Sequence, residues 1–167
     1  MHMDYRAIDQ MMDYYKNEGY ISHSLRVFGY ATGIGAGEGL NERDFCILQT
    51  AALFHDVGIP EGLRLEGSGA GPIQERLGAP IAVRLSRPFV PDDEAAAKIG
   101  ELVAHHHSFS YDGGPLLQML FEADWLVNAA DEEGITDEKR RRVYELYFKT
   151  RTGRAYFKNV FPSVVKE

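Results

Sequence analysis

The chain has 167 residues, 44% hydrophobic and 26% charged, a size and balance that suit one globular domain with a real core. A formal net charge of −7 argues against a polymeric nucleic-acid partner and leaves room only for a local basic pocket. No apolar run reaches the roughly 18 residues of a membrane span. The first residues carry no apolar signal core, and the single cysteine, Cys46, rules out an internal disulfide. A cytoplasmic location without membrane association is expected.

Tyr5 to Tyr15 reads as a short helix closed by Asn17-Glu18-Gly19. Ile21 to about Ala36 reads as a second, with Ser22 as its N-cap and Leu25 and Phe28 opening an apolar stripe. Gly33, Gly35 and Gly37 weaken its end, and Gly39 suits the position just past it. Asn41 caps a third helix running to Val57; Cys46 lies in its apolar run and reads as a core residue rather than a nucleophile. Ile59 to Gly71 is expected to be a glycine-rich loop, either a cradle for an anion or a plain surface connection. Pro72 opens a fourth helix, which Gly78 and Pro80 should interrupt before about Leu85. Asp92, Asp93 and Glu94 begin a fifth, Leu116 to Ala130 forms a sixth, Thr136 caps a seventh to about Lys149, and Thr152 or Gly153 restarts a short eighth. Nothing alternates as a strand does. The expected fold is all-α, one bundle of seven to eight helices over residues 1–167, with a core at about 20–130 and a C-terminal helical extension at 136–167.

The stretch Ala51-Ala52-Leu53-Phe54-His55-Asp56-Val57-Gly58-Ile59-Pro60 ends a buried helix in two polar residues. Leu48, Ala52 and His55 follow an i, i+4, i+7 pattern, so His55 continues the apolar face, and Asp56 lies about 100° further round. A His and an Asp directed inward are costly unless compensated, and a metal ion is one compensation. His23 and Asp124 likewise stand where an apolar helix face meets a polar group. Two imidazoles and two carboxylates make a mixed N/O set that suits Mn, Fe, Co, Ni or Zn better than Ca.

His23, then the doublet His55-Asp56, then Asp124 in a late apolar helix, resembles the H…HD…D signature of the HD-domain metal-dependent phosphohydrolase superfamily. His23-Ser24-Leu25-Arg26-Val27 is similar to its first histidine segment and Phe54-His55-Asp56-Val57-Gly58 to its doublet. Gln74-Glu75, His105-His106-His107, Glu122-Ala123-Asp124-Trp125-Leu126-Val127-Asn128 and Phe148-Lys149-Thr150-Arg151-Thr152-Gly153 resemble a bacterial subgroup of predicted HD hydrolases. The resemblance implies an all-α HD-type domain that hydrolyses a phosphate ester, mono- or diester, of a small metabolite or nucleotide at a metal-bound water.

On that resemblance His23, His55, Asp56 and Asp124 are the expected ligands, with Asp56 able to bridge to a second metal. His106-His107 is similar to the His-His pair of binuclear members, but no histidine lies between Gly58 and Ala104, where those members carry one. One metal is therefore favoured, with Asp56, His106 and His107 as catalytic residues, one of the two histidines serving as proton donor or substrate contact. A weaker second site on His106 and His107 is the alternative, and an exposed histidine run at a helix end is the plain reading. Glu75 is expected to face solvent. Arg26, one turn past His23, is the expected phosphate contact, with Lys149 and Arg151 next. Trp125 reads as core, or as a platform for a base. The turn Asp112-Gly113-Gly114-Pro115 lacks the tyrosine of the Gly-Tyr-Pro phosphodiesterases. The rival function is a non-catalytic HD-fold module for metal, ligand or partner binding. Tyr14, Tyr15 and Tyr20, if exposed, would suit a homodimer contact.

Overall fold

The computed structural model describes residues 3–165. Among them it forms nine α-helices, one short 3-10 turn and no strand. They are α1 (Arg6–Tyr15), α2 (Glu18–Gly37), α3 (Glu42–Phe54), α4 (Gly58–Glu66), α5 (Gly71–Ser86), α6 (Asp93–His105), α7 (Gly114–Asp131), α8 (Asp137–Tyr147) and α9 (Arg151–Val160), with the 3-10 turn at Arg87–Phe89. The all-α expectation holds, and each of the eight expected segments is helical. The ninth helix, α4, lies in the stretch expected as loop.

Side-chain caps set most of the starts. Asn17, Asn41, Asp92, Thr136 and Thr150 each accept a backbone N–H three residues on, satisfying a donor the helix itself cannot. Ser22 is therefore not a cap but lies inside α2. The last helix starts from Thr150, not from Thr152 or Gly153. Gly39, at φ 74°, takes the left-handed position just past α2. The glycines before it do not weaken the helix. A Cβ at Gly33 would strike the Tyr156 ring and one at Gly37 the Thr152 side chain, so they let α9 lie close against α2.

Two further departures have a common reason. Pro60 falls in the first turn of α4, where its missing N–H has no intrahelical partner to lose. Gly67, at φ 68°, then closes α4, with the Gly67 and Ser68 N–H groups donating to the Leu63 and Gly62 carbonyls. Pro80 and Gly78 do not break α5, which runs unbroken between them and packs along α4 and α6. Tertiary contact outweighs the local penalty of a helical proline, about 3 kcal/mol.

α3 is the axis of the molecule, touching α1, α2, α5, α6 and α7. Every residue from Cys46 to Phe54 is buried, and Leu48, Leu53 and Phe54 are completely so. Each buried Leu or Phe of this kind contributes about 2 kcal/mol. Cys46 is a buried free thiol, pushed up by burial, in keeping with a core role. α2 and α7 pack together beside α3, and α9 seals both. Tyr15 is buried and Tyr14 and Tyr20 pack half-buried against the core, so they do not form the exposed patch expected for a dimer contact. No helix among the described residues is long and apolar enough to cross a membrane.

Candidate metal centre

Four elements deliver the polar residues. His23 lies in the second turn of α2. His55 and Asp56 occupy the three-residue turn between α3 and α4, which the Tyr14 hydroxyl holds by donating to the Val57 carbonyl at 2.8 Å. Asp124 sits in the middle of α7, and His106 closes α6. A Cβ at Gly58 would collide with the Gln74 carbonyl oxygen, so glycine there lets α5 close over the doublet.

These residues converge. The Nε2 atoms of His23 and His55 face each other at 3.1 Å. His23 Nε2 is 3.4 Å from Asp56 Oδ2 and 3.2 Å from Asp124 Oδ1. His55 Nε2 is 3.3 Å and 3.5 Å from the same two oxygens. The other Asp56 oxygen, Oδ1, faces His106 Nε2 at 3.4 Å. Asp56 thus joins two groups, one with His23 and His55 and one with His106 and His107, each tight enough to hold an ion.

The imidazoles are aimed by their far nitrogens. His55 Nδ1 donates to the Ala52 carbonyl and His106 Nδ1 to the Val103 carbonyl, each at 2.8 Å. A carbonyl can only accept, so these bonds fix the tautomer and present both Nε2 atoms to the centre.

Charge follows the same geometry. Burial opposes a charged His55, but the Asp56 charge and bonds to Asp124 and Asp56 outweigh it and hold the imidazole well above its ordinary range. Burial likewise opposes the Asp56 and Asp124 charges, yet the histidines around them keep both carboxylates well below theirs. His107 goes the other way: burial, then His106, pushes it down to about 4. A neutral His107 suits a metal ligand or a proton acceptor.

The residues fit a divalent cation. His106 Nε2 and Asp124 Oδ1 are buried without a hydrogen-bond partner, and two imidazole edges point at one another between carboxylates. A cation bound among them would satisfy these atoms together. The set of nitrogen and oxygen donors is the kind that binds a transition metal.

Three residues that the sequence underrates or misses stand behind the centre. Gln74 is buried, with Nε2 2.8 Å from His107 Nε2. It lies in the interval between Gly58 and Ala104 where binuclear members were expected to carry a further histidine. Glu75 does not face solvent. It is half-buried and accepts from the His107 N–H at 2.8 Å and the Ser108 hydroxyl at 3.1 Å, holding the histidine turn in place. The motif contained both residues, but their tie to a turn more than thirty positions away is not visible in local periodicity. Tyr14, the clamp on the doublet turn, carried no signal beyond its aromatic character.

The expected phosphate contacts are less well placed. Arg26 is half-exposed and paired with Asp131 at the end of α7. Arg151 is not brought to the centre: it donates to the Gly37 carbonyl at 2.7 Å, fourteen residues and so about 21 Å along α2 from His23. Lys149 is exposed, and its backbone N–H is spent on Glu122. Trp125 packs half-buried against the core.

An all-helical bundle that gathers His23, His55, Asp56 and Asp124 from three separate elements is the architecture of an HD domain. The family model of the HD domain matches residues 20–139, and the chain belongs to that family. Among solved structures, it is similar to a predicted HD superfamily hydrolase from an uncultured Thermotogales bacterium. The TM-score is 0.69 at 21% identity, over 95% of this chain and 85% of the other. No curated protein matches the sequence.

Proposed function

We propose that the protein is a metal-dependent phosphohydrolase that cleaves a phosphate ester of a small metabolite or nucleotide. The observation that carries this reading is the convergence of the His23 and His55 Nε2 atoms with the Asp56 and Asp124 carboxylates, with Asp124 Oδ1 left unpartnered. A divalent metal bound there would supply an activated water and stabilise charge on the phosphoryl oxygens. His23, His55, Asp56 and Asp124 would hold it. One metal is favoured, and Asp56 Oδ1 with His106 and His107 offers a second place. His106 stands at the edge of the set, where it can contact the substrate. Arg26 could reach a phosphate by leaving Asp131. The net charge favours a small substrate over a polymer.

The test is elemental analysis of purified protein beside Asp124→Ala, followed by a phosphate-ester screen with the metal found. About one equivalent, lost in the variant together with phosphate release, supports the reading. Metal bound equally by both proteins, or no hydrolysis of any mono- or diester by loaded protein, overturns it in favour of a binding module.

A further inference from the structure

The segment between α6 and α7, the first turns of α7 and the end of α8 line a half-open cavity of about 110 Å³ that the chemistry above leaves unused. That is less than a whole drug-sized ligand needs, so the cavity takes only part of a small molecule. His106 lines it, and His106 also faces Asp56. Phe121 lines it too, one turn before Asp124 on α7. Two separate elements therefore bring its inner end to the metal centre.

Its walls are aromatic. Phe109, Phe121 and Tyr147 meet with ring centroids 5.0, 5.2 and 5.8 Å apart. On the other side Tyr111 stacks on His105 at 3.7 Å. Phe109 is 54% exposed and Tyr111 41%, so much of this ring surface has no partner in the chain. Part of the polar lining is already committed. Gln118 donates to Glu122 and to the Tyr147 carbonyl, Ser108 to Glu75, and Asp112 accepts from Gly114. Among the described residues no lysine or arginine lines the cavity.

We propose that this cavity holds the organic part of the substrate, and that this part is a flat, uncharged aromatic group. The proposal rests on the phosphohydrolase reading. Recognition is chiefly by ring faces: the Gln118 amide N–H and the Ser108 hydroxyl are spent on the protein itself, and the unpartnered polar group at the inner end is His106 Nε2. Stacking tolerates many rings. The absence of a cation excludes a second phosphate from the cavity, so the substrate carries its one phosphoryl group at the metal centre and nothing anionic beyond it.

Two measurements on the full-length protein test this. In the first, kcat/KM is compared for 4-nitrophenyl phosphate, glycerol 3-phosphate, and a nucleoside 5′-monophosphate against its diphosphate. The aryl ester and the monophosphate are expected to lead, each by about tenfold or more. Phe109→Ala, on a half-exposed segment, and Tyr111→Ala should erase most of the aryl preference, chiefly through KM. In the second, saturation-transfer NMR follows adenosine and 4-nitrophenol on the protein as purified, with contact expected in wild type and lost in Phe109→Ala. Hydrolysis that is indifferent to the aromatic group, or a preference for the diphosphate, overturns the cavity assignment and leaves the phosphohydrolase reading standing. Ring binding without hydrolysis of any ester overturns that reading and keeps the cavity as an aromatic-binding site.

Discussion

Glu122 and Asp124 are buried carboxylates two residues apart on α7, so they leave the helix in directions roughly 200° apart. Glu122 is fully answered by protein. Its oxygens accept the Lys149 N–H at 2.6 Å, the Thr150 N–H at 2.9 Å, the Thr150 hydroxyl, and the Gln118 amide at 2.7 Å. A Cβ at Gly153 would run into its carboxylate, so α9 fits directly over it. Asp124 meets only histidines, and its Oδ1 has no hydrogen-bond partner. Burial pushes Glu122 above its ordinary range despite those bonds, whereas the surrounding histidines outweigh burial at Asp124 and hold it far below. The same helix thus carries one carboxylate that closes a joint and one that faces the histidine cluster. What surrounds a buried acid, more than its burial, separates a structural role from a chemical one.

The sharpest break of that contrast is Asp124→Asn, which should lower metal affinity by at least about 10²-fold, measured by competition with a chelating dye, while the fold survives by circular dichroism. Glu122→Ala should do the reverse. It strands the donors of Lys149, Thr150 and Gln118 and should remove about 3 kcal/mol of stability in urea titration, with metal content kept. If Glu122→Ala loses metal at unchanged stability, the two roles have been assigned the wrong way round. Glu75→Ala should loosen the His107 turn and lower affinity or turnover about tenfold, less than loss of a ligand, read by metal titration and initial rates.

The smallest effect is at Asp92, an exposed carboxylate that both sites can be measured against. The Arg43 guanidinium, helped by the Ala95 N–H, holds it at about 2 rather than 3.8. Its contribution is present above pH 3.8 and is lost as pH falls toward 2. The acid limb of the stability curve should therefore be shallower in Asp92→Ala, with the neutral-pH melting temperature only slightly lowered.

The helices were largely legible because their signals are local. Asn41 and Thr136 cap where their side-chain chemistry says they should, and the run from Cys46 to Phe54 could only be a buried helix. α4 was not legible, because Gly58, Pro60 and Gly62 read as loop residues when their neighbours are unknown. Gly58 and Gly62 are small because Gln74, Ser68 and Ile73 press on them. Of the site, the order of His23, His55-Asp56 and Asp124 was readable as polar residues on apolar faces. The roles of Arg151, Glu75 and Gln74 were not, since each depends on which distant segment comes alongside.

By itself the sequence determined an all-α chain, some of its helix starts, and a short set of residues too polar for their apolar surroundings. That much follows from side-chain chemistry and the 3.6-residue period, which act within a turn or two. Only the tertiary structure decided that the two oxygens of Asp56 face different histidine pairs. It also decided that Glu122 is spent on the α8–α9 joint while Asp124 is not, and that an aromatic cavity opens beside His106. Those outcomes turn on how α2, α3, α6 and α7 pack against one another, and a few ångströms between helices separate a satisfied carboxylate from a ligand.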